Sequence, residues 1–288
     1  MIWLVVSRLV LSVSGNAVQK RLLMKEVRVR PLWITTYLLM LLPAFVLSAS
    51  DGWVWPAAFW GNVFLGGVLD AVGNLAMVAA LRSTDLSVFG PLNAFRPVLA
   101  LLFGWMFLGE TPSLSGGAGV GVTVLGAMLL LGERGGNTGR GSRREVWKVL
   151  GLRFAGLSLS TLGAVFLKRA AVLGSAEVTL TGWIVCGLGC LLVASVGGEG
   201  KTVAGLKITW QGHSSWLAGH ALIFFVMQWF TIRIFQNTLL AYSFAWFQLG
   251  MVLQVITGGV FFKEPALGRR LAGCVVMCLG SALVLWKG

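Results

Sequence analysis

Apolar residues run through this chain in long blocks separated by short polar intervals. A helix needs roughly 20 mostly apolar residues to cross a bilayer. Blocks of about that length lie near 2–22, 31–49, 57–81, 86–107, 114–132, 149–168, 178–196, 214–236, 240–262 and 267–286. The pattern predicts ten transmembrane helices and leaves little chain for anything else. Polar residues inside the blocks recur at helical spacing. Arg8, Ser12, Asn16 and Gln19 fall on one face of the first helix, and Asn62, Gly66, Asp70 and Asn74 on one face of the third. Arg153, Gly156, Ser160 and Gly163 line up in the sixth.

The blocks also repeat. One constant offset aligns Thr84 with Thr238, Glu110 with Glu264, Gly119 with Gly273, and Leu125-Gly126 with Leu279-Gly280. The same offset sets His220 against Gly66 and Gln228 against Asn74. Leu157-Ser158-Leu159-Ser160 ahead of Lys168-Arg169 echoes Leu11-Ser12-Val13-Ser14 ahead of Lys20-Arg21. The expected organisation is a first five-helix repeat over 1–132, a basic flexible linker over 133–148 rich in glycine, serine and arginine, and a second five-helix repeat over 149–288. An odd number of spans inserts the second repeat upside down relative to the first, and such inverted repeats place a binding site between them.

Composition agrees with a chain dissolved in lipid. It has 288 residues, 57% of them hydrophobic and 11% charged, more apolar surface than a soluble domain of this size could hide. The net charge of +13 does not point to nucleic acid, because the positive residues are dispersed through short loops. Their distribution sets topology instead. Loops after odd-numbered helices hold Lys20, Arg21, Lys25, Arg82, Arg134, Arg143, Lys201, Lys263 and others, while the opposite side holds Lys168, Arg169, Arg233 and Lys287. The positive-inside rule puts the odd loops in the cytoplasm of a cell (inner) membrane and both termini outside.

Signatures of enzymes are missing. There is no H-E-x-x-H and no Ser/His/Asp constellation in a plausible context. The run Ser195–Thr202, SVGGEGKT, has a serine where a phosphate loop needs its first glycine. The pairs Cys186/Cys190 and Cys274/Cys278 read as small packing residues of glycine-rich helices, and Gly117/Gly121 as a close helix contact. No cofactor and no metal site is expected. The expected partners are a small-molecule substrate and the lipid bilayer, with the chain a monomer or homodimer.

Polar groups at bilayer depth are costly, about 2.5–3.5 kcal/mol or more for a central charge, so they mark where function lies. The candidate substrate-binding residues are Arg8, Ser12, Asn16, Gln19, Asp70, Asn74, Asn93, Arg96, Ser160, His220, Gln228 and Gln254. They predict a polar cavity walled by helices 1, 3, 4, 6, 8 and 9. Asp70 reads as the one acid deep in a span and Arg96 as its partner.

The run from Asn74 through Leu131, with A-A-L-R-S-T-D-L-S-V-F-G-P-L-N-A-F-R-P, then L-G-E-T and a glycine-spaced helix, resembles an EamA-type domain. Residues 231–286 resemble a second, with F-K-E-P in place of L-G-E-T. Two such domains make a ten-helix member of the drug/metabolite transporter superfamily, which implies export or exchange of small metabolites. Four-helix multidrug relatives carry a membrane glutamate in their first helix; here that helix has Arg8 and Asn16 and no acid. The resemblance also implies cytoplasmic termini, the reverse of the charge bias. The arginines point to an amino acid or organic anion, moved by alternating access. The alternative is a lipid-handling flippase or membrane scaffold with the same fold.

Overall fold

The computed structural model describes residues 1–25, 27, 29–81, 95–131, 143–196, 201–262 and 267–287. Among them are ten α-helices: α1 (Ile2–Met24), α2 (Val29–Ser48), α3 (Ala57–Leu81), α4 (Arg96–Leu108), α5 (Leu114–Leu131), α6 (Arg143–Leu173), α7 (Ala176–Val196), α8 (Lys201–Asn237), α9 (Leu240–Phe262) and α10 (Leu267–Lys287). A helix bonds its own backbone internally, which lipid demands because it offers no hydrogen-bond partners. Among the described residues five segments are long and apolar enough to cross a membrane: Ile2–Gln19, Val29–Asp51, Leu150–Leu173, Ala176–Ser195 and His213–Asn237. The helix α3, 25 residues long, carries Asn62, Asp70 and Asn74 along an otherwise apolar sequence. Large apolar side chains such as Trp3, Leu42, Val46 and Val193 stand exposed, as a lipid-facing surface requires.

Two helices extend past their expected bounds. The helix α6 begins at Arg143, inside the segment expected to be linker, because R-R-E-V-W-K lacks the glycines that precede it. The helix α8 starts at Lys201 and runs for 37 residues, well ahead of its apolar block. Asn93, Lys263-Glu264-Pro265 and the linker up to residue 142 lie outside the described residues.

The helices gather into two compact units, and each unit draws on both halves of the sequence. The first comprises Met1–Ala71 with Phe166–Gln236, the second Val72–Val165 with Asn237–Gly288. In the first unit α2 packs along α7. Thr181 Oγ1 joins them, lying 3.1 Å from Ala44 O and 3.2 Å from Ser48 Oγ. Leu22, Val27, Leu32 and Leu217 fill the junction of α1, α2 and α8, and Phe59, Val63, Ala170 and Val178 that of α3, α6 and α7.

In the second unit the main contact is α5 against α10. The first carbon of a side chain at Gly126 would fall 2.6 Å from Met277 N, and one at Gly280 would fall 2.5 Å from Thr123 N. One at Gly119 would meet Gly280 O at 2.8 Å. These backbones touch, so only glycine fits. Gly117 and Gly121, the pair expected to make this approach, have open space where a side chain would begin. The contact face is turned away from them and runs through Gly119, Thr123 and Gly126.

The L-G-E-T turn after α4 has a definite job. Gly109 takes φ 66° and ψ 22°, a left-handed conformation that ends the helix, and Glu110 N bonds back to Gly104 O at 3.1 Å. This aims the Glu110 side chain at the start of α9, where Oε2 accepts from Leu240 N at 2.8 Å. Tyr242 adds a second tie, its hydroxyl oxygen accepting from Ser113 N at 3.1 Å.

Gly126→Leu and Gly280→Leu should each lower the folded yield in detergent, at a cost of at least ~1–3 kcal/mol for overpacking. Gly121→Leu should leave yield within error of the parent. Size-exclusion recovery after heating measures all three, and a collapse of Gly121→Leu alone would contradict the assigned face.

Candidate functional site

In the first unit three polar groups at membrane depth are held by specific partners. Arg8 Nε donates to Thr231 Oγ1 at 3.3 Å, and that hydroxyl donates its own hydrogen to Met227 O at 2.8 Å. Asp70 Oδ2 accepts from Trp183 Nε1 at 2.9 Å. The Trp183 ring is buried and meets Tyr37 edge-on at 5.4 Å. His220 is fully buried, with Nδ1 3.0 Å from Thr36 Oγ1. Ser12, Gln19 and Gln228 are half-buried and Asn16 is exposed.

The third helix does not present one uniform polar face. Asn62 is buried and returns its amide to Ala58 O of its own helix at 2.6 Å. Gly66 packs against the Leu167 backbone, while Asn74 is exposed.

In the second unit α3 and α6 cross so closely that their backbones meet. A side chain at Gly73 would fall 2.6 Å from Gly156 O, and one at Gly156 would fall 2.8 Å from Gly73 O. The crossing places Ser160, fully buried, where it accepts a hydrogen bond from the Arg96 guanidinium. Arg96 Cζ also lies 4.9 Å from the centroid of the Phe244 ring. Arg153, two turns from Ser160 on the buried face of α6, donates to Met77 O at 3.3 Å. The strip predicted for α6 therefore carries arginine chemistry at two levels. Arg96 and Ser160 are two of the candidate residues, brought into direct contact by the fold. Arg96 is the first residue of α4 as described, and residues 82–94, the start of its expected span, lie outside the described residues. Asn93 and the side chain of Gln254 lie outside the described residues.

A further polar cluster in the first unit was missed. Glu177 is buried in the first turn of α7. Its Oε1 accepts from Trp229 Nε1 at 2.9 Å and pairs with Arg233, and its Oε2 lies 3.1 Å from Ser175 Oγ. Ser175 caps α7, accepting from Glu177 N at 3.1 Å and Val178 N at 3.2 Å, and its hydroxyl also touches Asp51. The S-x-E spacing at a helix start was the available signal, since it marks a cap. The four cysteines are free thiols.

A helical chain with spans of this length is a multi-pass membrane protein by fold, and comparison with known proteins makes it a transporter. A family model described as the EamA-like transporter family matches residues 1–132. Over 101 residues the chain is 30% identical to a protein of Sinorhizobium sp named "Uncharacterized transporter in cobO 3'region", an alignment spanning 34% of this chain and 72% of that protein. A solved structure described as "Crystal structure of protein" shares the fold, with a TM-score of 0.74 at 18% identity over 99% of this chain and 96% of the other. The chain belongs to the EamA-like transporter family, a family of transporters and not of enzymes.

Two substitutions test the site's anchors. Ser160→Ala removes an acceptor of Arg96, and Trp183→Phe removes a donor to Asp70. Each breaks a hydrogen bond to a charged group and should cost about 1.5–3 kcal/mol. A thermal midpoint unchanged in both variants would show that these contacts do not hold the fold.

Proposed function

We propose that this transporter carries a small polar metabolite bearing a carboxylate, such as an amino acid or organic anion, by alternating access, in the direction of export or exchange. The observation that carries the reading is the half-buried Arg96 guanidinium, steadied by Ser160 and the Phe244 ring. A guanidinium so oriented can receive a carboxylate through two parallel N–H donors, which a lysine cannot do. In the second unit Asn74 is a further candidate contact for the solute. Within the first unit Arg8, set by Thr231, is a candidate cation of its own, with Ser12, Asn16, Gln19 and Gln228 as neutral donors and acceptors and Asp70 as a candidate partner for an ammonium group.

The test is counterflow in proteoliposomes with [14C]alanine, [14C]glutamate and [14C]succinate. At least one should exchange, and Arg96→Gln should slow it by tenfold or more, about 1.4 kcal/mol of lost interaction. Arg96→Lys should recover only part of the rate. If none of the three moves while a fluorescent phospholipid crosses the bilayer, the protein handles lipid instead.

The membrane orientation follows from charge, and we place the odd-numbered loops in the cytoplasm of a cell (inner) membrane. In a cysteine-free background, Val54→Cys should react with an impermeant maleimide in intact cells and Lys25→Cys should not. The opposite pattern would invert the topology.

A further inference from the structure

His220 lies on α8 with 0% of its surface exposed. Its Nδ1 is 3.0 Å from Thr36 Oγ1 on α2. A second bond fixes the direction of the first. Thr36 Oγ1 is 2.8 Å from Leu32 O, a carbonyl that can only accept, so the single hydroxyl hydrogen goes there. Thr36 therefore accepts from the imidazole, and Nδ1 carries the ring's hydrogen. In a neutral imidazole the other nitrogen is then a bare acceptor. That atom, Nε2, is buried and has no hydrogen-bond partner among the described residues.

The space around the imidazole ring is taken. The Trp33 ring stands edge-on at 5.9 Å and the Phe224 ring at 4.5 Å. The helix α1 closes over Phe224, where a side chain at Gly15 would begin 3.0 Å from its ring. A buried lone pair walled by aromatic rings has room for a hydrogen nucleus and none for a metabolite group. We propose that Nε2 of His220 is a proton-binding site and that the proton is the coupling ion of this carrier. The second clause rests on the transporter reading; the first does not.

The coupling follows from what surrounds the ring. A proton on Nε2 makes an N–H with no acceptor and a charge with no water. The three helices that pack here, α1, α2 and α8, contain no aspartate or glutamate. Among described side chains their titratable and charged groups are Arg8, Arg21, Arg30, Tyr37, His213 and Arg233. Arg8 is turned to Thr231, Arg21 lies 4.3 Å over the Trp216 ring, Arg233 pairs with Glu177, and Tyr37 meets the same Trp33 ring at 6.0 Å. None of these supplies a negative charge. The packed arrangement thus belongs to the neutral ring, and the protonated ring belongs to a state in which α2 and α8 part at Thr36 and admit water. A ligand that binds one state better shifts the population toward it, so proton uptake drives the opening and proton release permits closure. Only an N–H bond forms and breaks. The proton comes from water on one side of the membrane and leaves to water on the other.

The chain has two histidines, so protein labelled with 15N-histidine shows two imidazoles, and His220→Gln assigns the signals by their loss. At neutral pH the His220 ring should carry hydrogen on Nδ1 with Nε2 bare, and acid should add a second proton at Nε2 while the protein stays folded. Hydrogen on Nε2 at neutral pH, or a ring that stays singly protonated until unfolding, would overturn the proposal. Thr36→Val keeps the histidine and removes its acceptor. It should abolish the tautomer preference, and it serves where His220→Gln does not fold. In proteoliposomes an imposed pH gradient should accelerate [14C]glutamate flux, and in His220→Gln the ratio of flux with and without the gradient should fall to one. An unchanged ratio would remove the proton from the transport cycle. If alanine, glutamate and succinate all fail to move but Nε2 takes up a proton, the solute class is wrong and the proton site stands.

Discussion

A helix that begins within a membrane has amide hydrogens at its first turn and no water to receive them. Much of this structure is arranged around that constraint. Glu110 meets it for α9 by accepting from Leu240 N, and Ser175 meets it for α7 by accepting from two amides of the first turn. The Glu110 solution reaches back into α4. Gly104 must lack a side chain because its first carbon would lie 2.9 Å from Glu110 Oε2, and Gly109 must turn left-handed to deliver the carboxylate. A motif that reads in sequence as a helix end is therefore also the start of a different helix, more than a hundred residues away.

The polar side chains at membrane depth share a second logic. A threonine in a helix can give its hydrogen to the carbonyl one turn back, and its oxygen is then committed as an acceptor. Thr231 does this toward Met227 O and receives Arg8; Thr36 does it toward Leu32 O and receives His220. In lipid-facing helices this converts a flexible hydroxyl into a fixed dipole pointing at a donor. It orients a cation or a neutral imidazole without adding a negative charge, which a carboxylate partner would have done. Arg96 uses the Ser160 oxygen and the electron-rich face of Phe244 to the same end.

The helical character, the family and the polar residues at depth were legible because each is a local property. Block length gives spans, and helical spacing gives faces. What the residues touch was not legible. Ser160 lies far from Arg96 in sequence, and the two meet where α4 packs on α6 through Leu99 and Leu157. The G-x-x-x-G spacing of Gly117 and Gly121 signals that a helix could be approached closely but not on which side, and the approach occurs through Gly119 and Gly126. Glu177 sits near a span end by count, yet Trp229 and Arg233 of α8 reach it and bury it. Hydroxyl direction, which decides the tautomer of His220, depends on two bonds at once and has no sequence signature.

The boundaries of the two compact units cut through α3 and α6, and neither unit can be assembled from residues 1–132 or 149–288 alone. Cutting the chain at its basic linker would therefore leave both units incomplete: residues 1–132 hold Asp70 without Trp183 and Gly73 without Gly156. Two separate fragments would have to meet by diffusion before either unit could close, whereas one polypeptide makes that meeting intramolecular and fixes the fragments at equal numbers.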